Sequence, residues 1–261
     1  MKLAILTSNQ LRHYYFADSL AQHFETVGLV LEEKKRDPST KGRGTDLDSQ
    51  VKKYFANRSR SEEEYFGSHG VIHNIMPDRT ILLSAGTINE NWVVDRIVSW
   101  GADCLAVFGS SILGNGIITR FPGRIFNMHL GLSPYYRGSG TNFWPLYEAK
   151  LGYVGVTIHY IDPGIDSGPI IVQGRPKIEV DDTPHSIGNK TIIRGVELMI
   201  KTLKIFLSGH SLPSHRQDLG AGKLYRFADC SAAHLVELEK KFTEGLVRDY
   251  LRDPFYPPIY E

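Results

Sequence analysis

Short apolar runs alternate along the chain with stretches whose apolar positions recur at helical spacing. Leu3–Leu6, Val27–Leu31, Ile81–Ser84, Cys104–Phe108, Arg124–Asn127, Gly155–Tyr160 and Ile170–Gln173 read as strands. Between the first two, Leu11, Tyr15, Leu20 and Phe24 mark a helix; Val93, Ile97 and Val98 mark another ahead of Cys104. This β-α-β opening predicts an α/β fold around a parallel-rich sheet. A long helix is expected to start at an Asp182 or Thr183 cap, with Pro184 in its first turn, and to stop at Gly209. The pattern then becomes mixed, so the division expected is one domain over residues 1–208 and a small C-terminal extension over 209–261. That extension has the form of a subdomain or of an arm against the core.

The segment from Glu32 to Gly67 departs from this pattern through its charge. Its first part reads as an exposed loop; its second has Val51, Tyr54 and Phe55 at helical spacing. Two readings stay open, a solvated insertion with a surface helix or a lid over a substrate. The 261 residues carry 30 Lys and Arg against 29 Asp and Glu, so no nucleic-acid surface is expected. Cys104 and Cys230 lie far apart, which speaks against a disulfide framework or a zinc knuckle and for a reducing, cytoplasmic setting. Cys104, within an apolar strand, reads as a small core residue. The opening MKLAILTS is too short for a signal peptide, and no run reaches the ~18 apolar residues of a membrane span. The first turn, TSNQLRH, has none of the glycines of a dinucleotide loop.

Candidate chemistry concentrates in FNMHLGLSPYYRGSGTNFWP, Phe126 to Pro145. Residues two apart in a strand share a face, so Asn127 and His129 project together, ~7 Å apart. Ligands of open α/β sheets sit beyond the carboxyl ends of strands, and the runs ending at Gly109 and at Asn127 would border one crevice if they are neighbours. An Asn amide can hold a developing oxyanion and an imidazole can move a proton at neutral pH, the two tasks of acyl transfer to an amine. A carboxylate to orient the imidazole would come from HYIDPGIDSGPI. Asp166, between Gly164 and Gly168, suits it better than Asp162, which can close a local turn with Pro163. His73, His159, His185, His210 and His215 show no partner pattern and read as structural. Ser8 and Ser133 lack the Gly-x-Ser-x-Gly elbow of a serine hydrolase.

Together NMH, SPYYRG and GIDSGP resemble the folate-dependent formyltransferase family, whose pattern is Asn-x-His, Pro-x-Tyr-Arg-Gly and Leu/Ile-Asp-x-Gly. LLSAGTINE and ADCLAVFGSSIL resemble that family's strand-loop-strand beside the folate. The resemblance covers Leu82–Gln173 well and Met1–Val30 more loosely. It implies a Rossmann-like core and a catalytic triad of Asn127, His129 and Asp166. It further implies 10-formyltetrahydrofolate as donor and no metal. The pterin pocket implied runs along Phe108, Gly109, Ser110, Ser111, Ile112 and Leu113, with Ile161, Gly164 and Ile165. Backbone N–H and C=O pairs there suit the alternating donors and acceptors of a pterin edge.

Two departures from the family pattern bear on the acceptor. Gly131-Leu132-Ser133-Pro134 replaces Ser-Leu-Leu-Pro after the His. Thr7-Ser8-Asn9-Gln10-Leu11 lacks the glycine of the phosphate loop of glycinamide ribonucleotide enzymes. A tRNA enzyme would carry a basic C-terminal domain, which the tail from Leu212 is not. The expected acceptor is a small-molecule amine, foremost a nucleotide-linked amino sugar; an amino acid or siderophore precursor such as hydroxyornithine is the alternative. Tyr135, Tyr136, Arg137, Gly138, Thr141, Asn142 and Trp144 are the expected acceptor contacts. Trp144 and Tyr147 read equally well as core residues behind the site. From another class, a folate-binding protein without activity is the rival. Gly222–Arg226 could extend a sheet or serve as the arm of a homodimer.

Overall fold

The computed structural model describes residues 2–34, 46–69 and 77–261, without the side chains of 46, 47 and 77. The first part of the charged loop and His73 therefore lie outside the described residues. A seven-stranded sheet contains β1 (Lys2–Ser8), β2 (Glu25–Glu32), β3 (Thr80–Leu83), β4 (Cys104–Val107), β5 (Ile125–Leu130), β7 (Val156–Tyr160) and β8 (Ile170–Gly174), in the order β3-β2-β1-β4-β5-β7-β8. Strands β1 to β5 run parallel; β7 is antiparallel to both β5 and β8. Two short strands, β6 (Tyr136–Gly138) and β9 (Lys223–Tyr225), pair separately. The expected α/β class and parallel-rich sheet are what the chain adopts.

Alternation along the central strand explains the layering. Leu3 and Ile5 of β1 join the core under α1 (Leu11–Ala21) and α6 (Pro184–Leu207), while Ala4 and Leu6 join the core under α3 (Asn91–Ser99) and α4 (Asn115–Ile118). Cys104 is fully buried in the first of these cores, and burial pushes its thiol up to about 12. Of the two caps considered for α6, Thr183 is the one used: its Oγ accepts the Ser186 N–H at 3.1 Å.

The charged segment is not a free surface helix. Its helix α2 (Asp46–Phe66) packs against α6 and against α7 (Ala232–Thr243), burying Val51 and Phe66. Residues beyond 208 lie along the core as an arm. His215 bridges to Ile170, β9 pairs with β6 of the same chain, and α7 packs on α5 (Phe143–Tyr147) before α8 (Leu246–Arg252) ends the helices.

Two features of the sheet open a crevice. The strand order reverses between β1 and β4, so their following loops diverge. β5 also outruns β4: Val107 pairs with Asn127, and Met128–Leu130 continue beyond it with only β7 alongside. Asn127 therefore sits inside its strand rather than at its end, as the shorter sequence-based span had it.

Candidate active site

A cavity of about 880 Å³ fills this crevice, within the range of ligand-binding clefts and at its upper end. Its floor carries Asn127 and His129 from β5, His159 from β7 and Asp166 from the loop joining β7 to β8. Asn127 and His159 are directly opposed in the antiparallel ladder, which places their side chains together.

Hydrogen-bond chemistry fixes the protons of this cluster. The His159 Nδ1–H donates to the Tyr160 carbonyl at 2.8 Å, so its Nε2 accepts from the Asn127 amide at 2.9 Å. The second Asn127 N–H has only a long 3.4 Å contact with Asp166 Oδ1 and is the one able to turn to a ligand. The His129 Nε2–H donates to the Tyr136 carbonyl at 2.9 Å, and Nδ1 lies 3.3 Å from Asp166 Oδ2. Burial acts to raise the Asp166 carboxyl, but His129, His159 and the Gly138 N–H at 2.9 Å outweigh it and hold the group well below the ordinary carboxylate range. Burial lowers the His129 pKa, offset only in part by Asp166. Burial and Asp166 thus act on the imidazole in opposite directions, the first disfavouring its second proton and the second favouring it. A proton arriving between Nδ1 and Oδ2 is held by both groups.

Asp166 occupies a left-handed conformation, φ +47°, unusual for a residue with a side chain. Its loop is clamped from the C-terminal arm, where the Gln217 amide donates to the carbonyls of Asp166 at 2.9 Å and Gly168 at 2.7 Å. Asp162 closes the local turn instead, accepting from the Gly164 N–H and the Ser167 hydroxyl.

One side wall is formed by Phe108–Leu113 together with Ile161, Gly164 and Ile165, so all nine residues expected to bind the donor line the cavity. Ile112 and Ile165, on opposing loops, are exposed at its rim. Gly109 has φ +70°, and a Cβ there would come within 2.5 Å of the His13 ring, so glycine is required. The buried Glu32 carboxylate ties the wall together. It accepts backbone N–H groups of Gly86 (2.9 Å), Ile88 (3.3 Å) and Ser111 (2.6 Å).

The residues expected to contact the acceptor divide. Gly138, Thr141 and Asn142 line the cavity; Tyr135, Tyr136, Arg137 and Trp144 do not. Tyr136 and Trp144 both stack on Tyr225, at 5.7 and 4.8 Å, because β6–β9 pairing draws these rings into a buried cluster. Tyr135 packs edge-on against Tyr153, and Arg137 reaches the Leu219 carbonyl. The opposite wall comes from residues that the motifs do not include: Arg12 of α1, Tyr54, Phe55, Arg58 and Glu62 of α2, His185 of α6, and Leu235 and Leu238 of α7. His159 and Gln217 were equally outside the expected set, and the opposed ladder position of His159 could be found only once β5–β7 pairing was known. Among the described residues, no group of three or more His, Cys, Asp or Glu is placed to hold a metal ion. No helix among them is long and apolar enough to cross a membrane.

This fold and this floor of Asn, His and Asp define a class. Residues 6–203 match the family described as formyl transferase, and the chain belongs to that family. A methionyl-tRNA formyltransferase of Anaeromyxobacter sp. (strain K) is 30% identical over 134 residues, 51% of this chain and 42% of the relative. The match thus spans less than half the length of that curated relative. A sugar N-formyltransferase of Shewanella sp. FDAARGOS_354 superposes with a TM-score of 0.58 at 16% identity, over 91% of this chain and 86% of the other. The N-formyltransferase of Helicobacter canadensis, solved with folinic acid and dTDP-3-aminofucose, gives 0.55 at 17% identity, over 93% and 80%.

Proposed function

We propose that the protein transfers a formyl group from 10-formyltetrahydrofolate to a primary amine of a small molecule, foremost an amino sugar linked to a nucleotide. The observation that carries this reading is the convergence of Asn127, His129 and Asp166 on one cavity with room for two reactants. The wall from Phe108 to Leu113 with Ile161–Ile165 takes the pterin, through backbone groups and between the two rim isoleucines. The amine nitrogen attacks the formyl carbon from the other side. As the carbonyl oxygen becomes negative, the second N–H of Asn127 turns to it. The His129–Asp166 pair accepts the proton lost by the amine. When the bond between the formyl carbon and the folate nitrogen breaks, that proton passes to the leaving nitrogen, so the pair returns to its starting state. Family membership supports the reaction, and neighbours of known structure that act on sugars support the leaning toward that acceptor.

The test is incubation with 10-formyltetrahydrofolate and a panel of nucleotide-linked amino sugars, hydroxyornithine and methionyl-tRNA. Tetrahydrofolate release is followed by absorbance and the acceptors by mass. Formylation of an amino sugar is expected. Folate binding with no release on any amine would leave a binding protein and end the transferase reading.

A further inference from the structure

The cavity wall built by α1 and α2 carries more positive charge than its carboxylates answer. Glu62, buried, accepts from Arg12 Nη1 at 2.7 and 2.9 Å and from Arg58 Nε at 3.0 Å, so one carboxylate serves two guanidiniums. Among the described residues, the Lys34 ammonium donates to the Gly109 carbonyl, which carries no charge. Glu32, the other nearby acid, attracts Lys34 but turns its oxygens to three backbone N–H groups. Arg12, Lys34, Arg58 and Glu62 all line the same cavity. Three cations against two carboxylates leave one positive charge in excess at this wall, which an anion would balance.

Burial and mutual repulsion both act on the cations themselves. Burial, and then the neighbouring Arg58, push the Arg12 guanidinium down to about 10. Desolvation at the wall, and then Arg12, push Lys34 down to about 8. The Arg58 side chain keeps 41% of its exposure, and its terminal nitrogens have no partner among the described residues. A guanidinium presents a planar fork that matches a carboxylate or a phosphoryl group.

We propose that Arg12, Lys34 and Arg58 form an anion subsite of this cavity, which holds a phosphoryl or carboxylate group of the acceptor while its amine faces Asn127. The subsite rests on the formyl-transfer reading and names the acceptor's chemistry: an amine that also carries an oxyanion. It replaces Arg137, which points away to Leu219, as the source of positive charge. The Glu62 carboxylate orients the two arginines and competes with the ligand for them.

Calorimetric titration of the full chain with inorganic pyrophosphate, uridine diphosphate and ornithine tests this. At least one is expected to bind at low salt, more weakly as salt is raised. Arg58→Ala should weaken that binding about tenfold or more. Glu62→Gln should tighten it, a change that partial unfolding cannot imitate. Thermal midpoints of both variants are read alongside. Binding of the diphosphates alone assigns a phosphoryl group to the acceptor, and binding of ornithine alone assigns a carboxylate. Binding by none of the three, or by wild type and both variants alike, overturns the subsite. Titration of the wild type with 5-formyltetrahydrofolate in the same buffer separates the two readings. Folate binding without anion binding sinks only the subsite, and anion binding without folate binding sinks the transferase.

Discussion

The wall along Phe108–Leu113 and Ile161–Asp166 and the wall along α1, α2 and α7 face one space but are made differently. The first consists of strand-end loops, fixed by Gly109 and by the Glu32 carboxylate. The second consists of long side chains on helices far apart in sequence, held by packing and by the shared Glu62. A backbone wall can present the same pattern of donors and acceptors under many side chains, whereas a side-chain wall changes with each substitution. Under the proposed function, this contrast supports the donor at the first wall and the acceptor at the second.

The strongest way to break that assignment is at the floor between the two walls. Asn127→Ala and His129→Ala are each expected to lower turnover on the order of a hundredfold or more while circular dichroism stays that of the wild type. Near-wild-type formyl transfer by either variant would remove the floor from the mechanism. A smaller effect is expected where the C-terminal arm meets the Asp166 loop. Gln217→Ala leaves two carbonyls without their donor, at a cost of about 1–3 kcal/mol in denaturant unfolding. It should lower kcat more than it raises KM for either reactant, with Gln217→Glu failing to restore it because a carboxylate cannot donate. Equal loss in KM and none in kcat would make Gln217 a structural residue only. The smallest catalytic effect belongs to Trp144→Phe. This ring stacks on Tyr225 behind the wall, so stability should fall by about 1–2 kcal/mol, with KM for the acceptor unchanged. A raised acceptor KM would return Trp144 to the cavity.

Much of the first wall was readable from the chain. The strands declared themselves by apolar runs, Asn127 and His129 by their spacing in a strand, and Asp166 by its place between two glycines, while the nine residues of the wall came from the family resemblance. The second wall was not readable, because contact there depends on how distant helices pack. Arg58 and Glu62 looked like solvated charges on a helix, since a charge run carries no sign of which way it faces. His159 showed no partner because its partner is set by the register of an antiparallel pair 32 residues apart. Gln217 lies 51 residues from the carbonyl of Asp166, and nothing local marks it. Tyr136 and Trp144 misled in the other direction. They follow the motif in sequence, yet pairing of β6 with β9 draws them behind the site.

Glu32 carries a consequence for the energetics of binding. Its two oxygens join the turn after β3 to the turn after β4, and neither turn can swing outward without taking donors from that buried acid. The Ser111 end of the first wall is therefore held in place before any guest arrives. A reactant docking on that wall meets a finished mould, and little of its affinity is spent on freezing the loop that receives it.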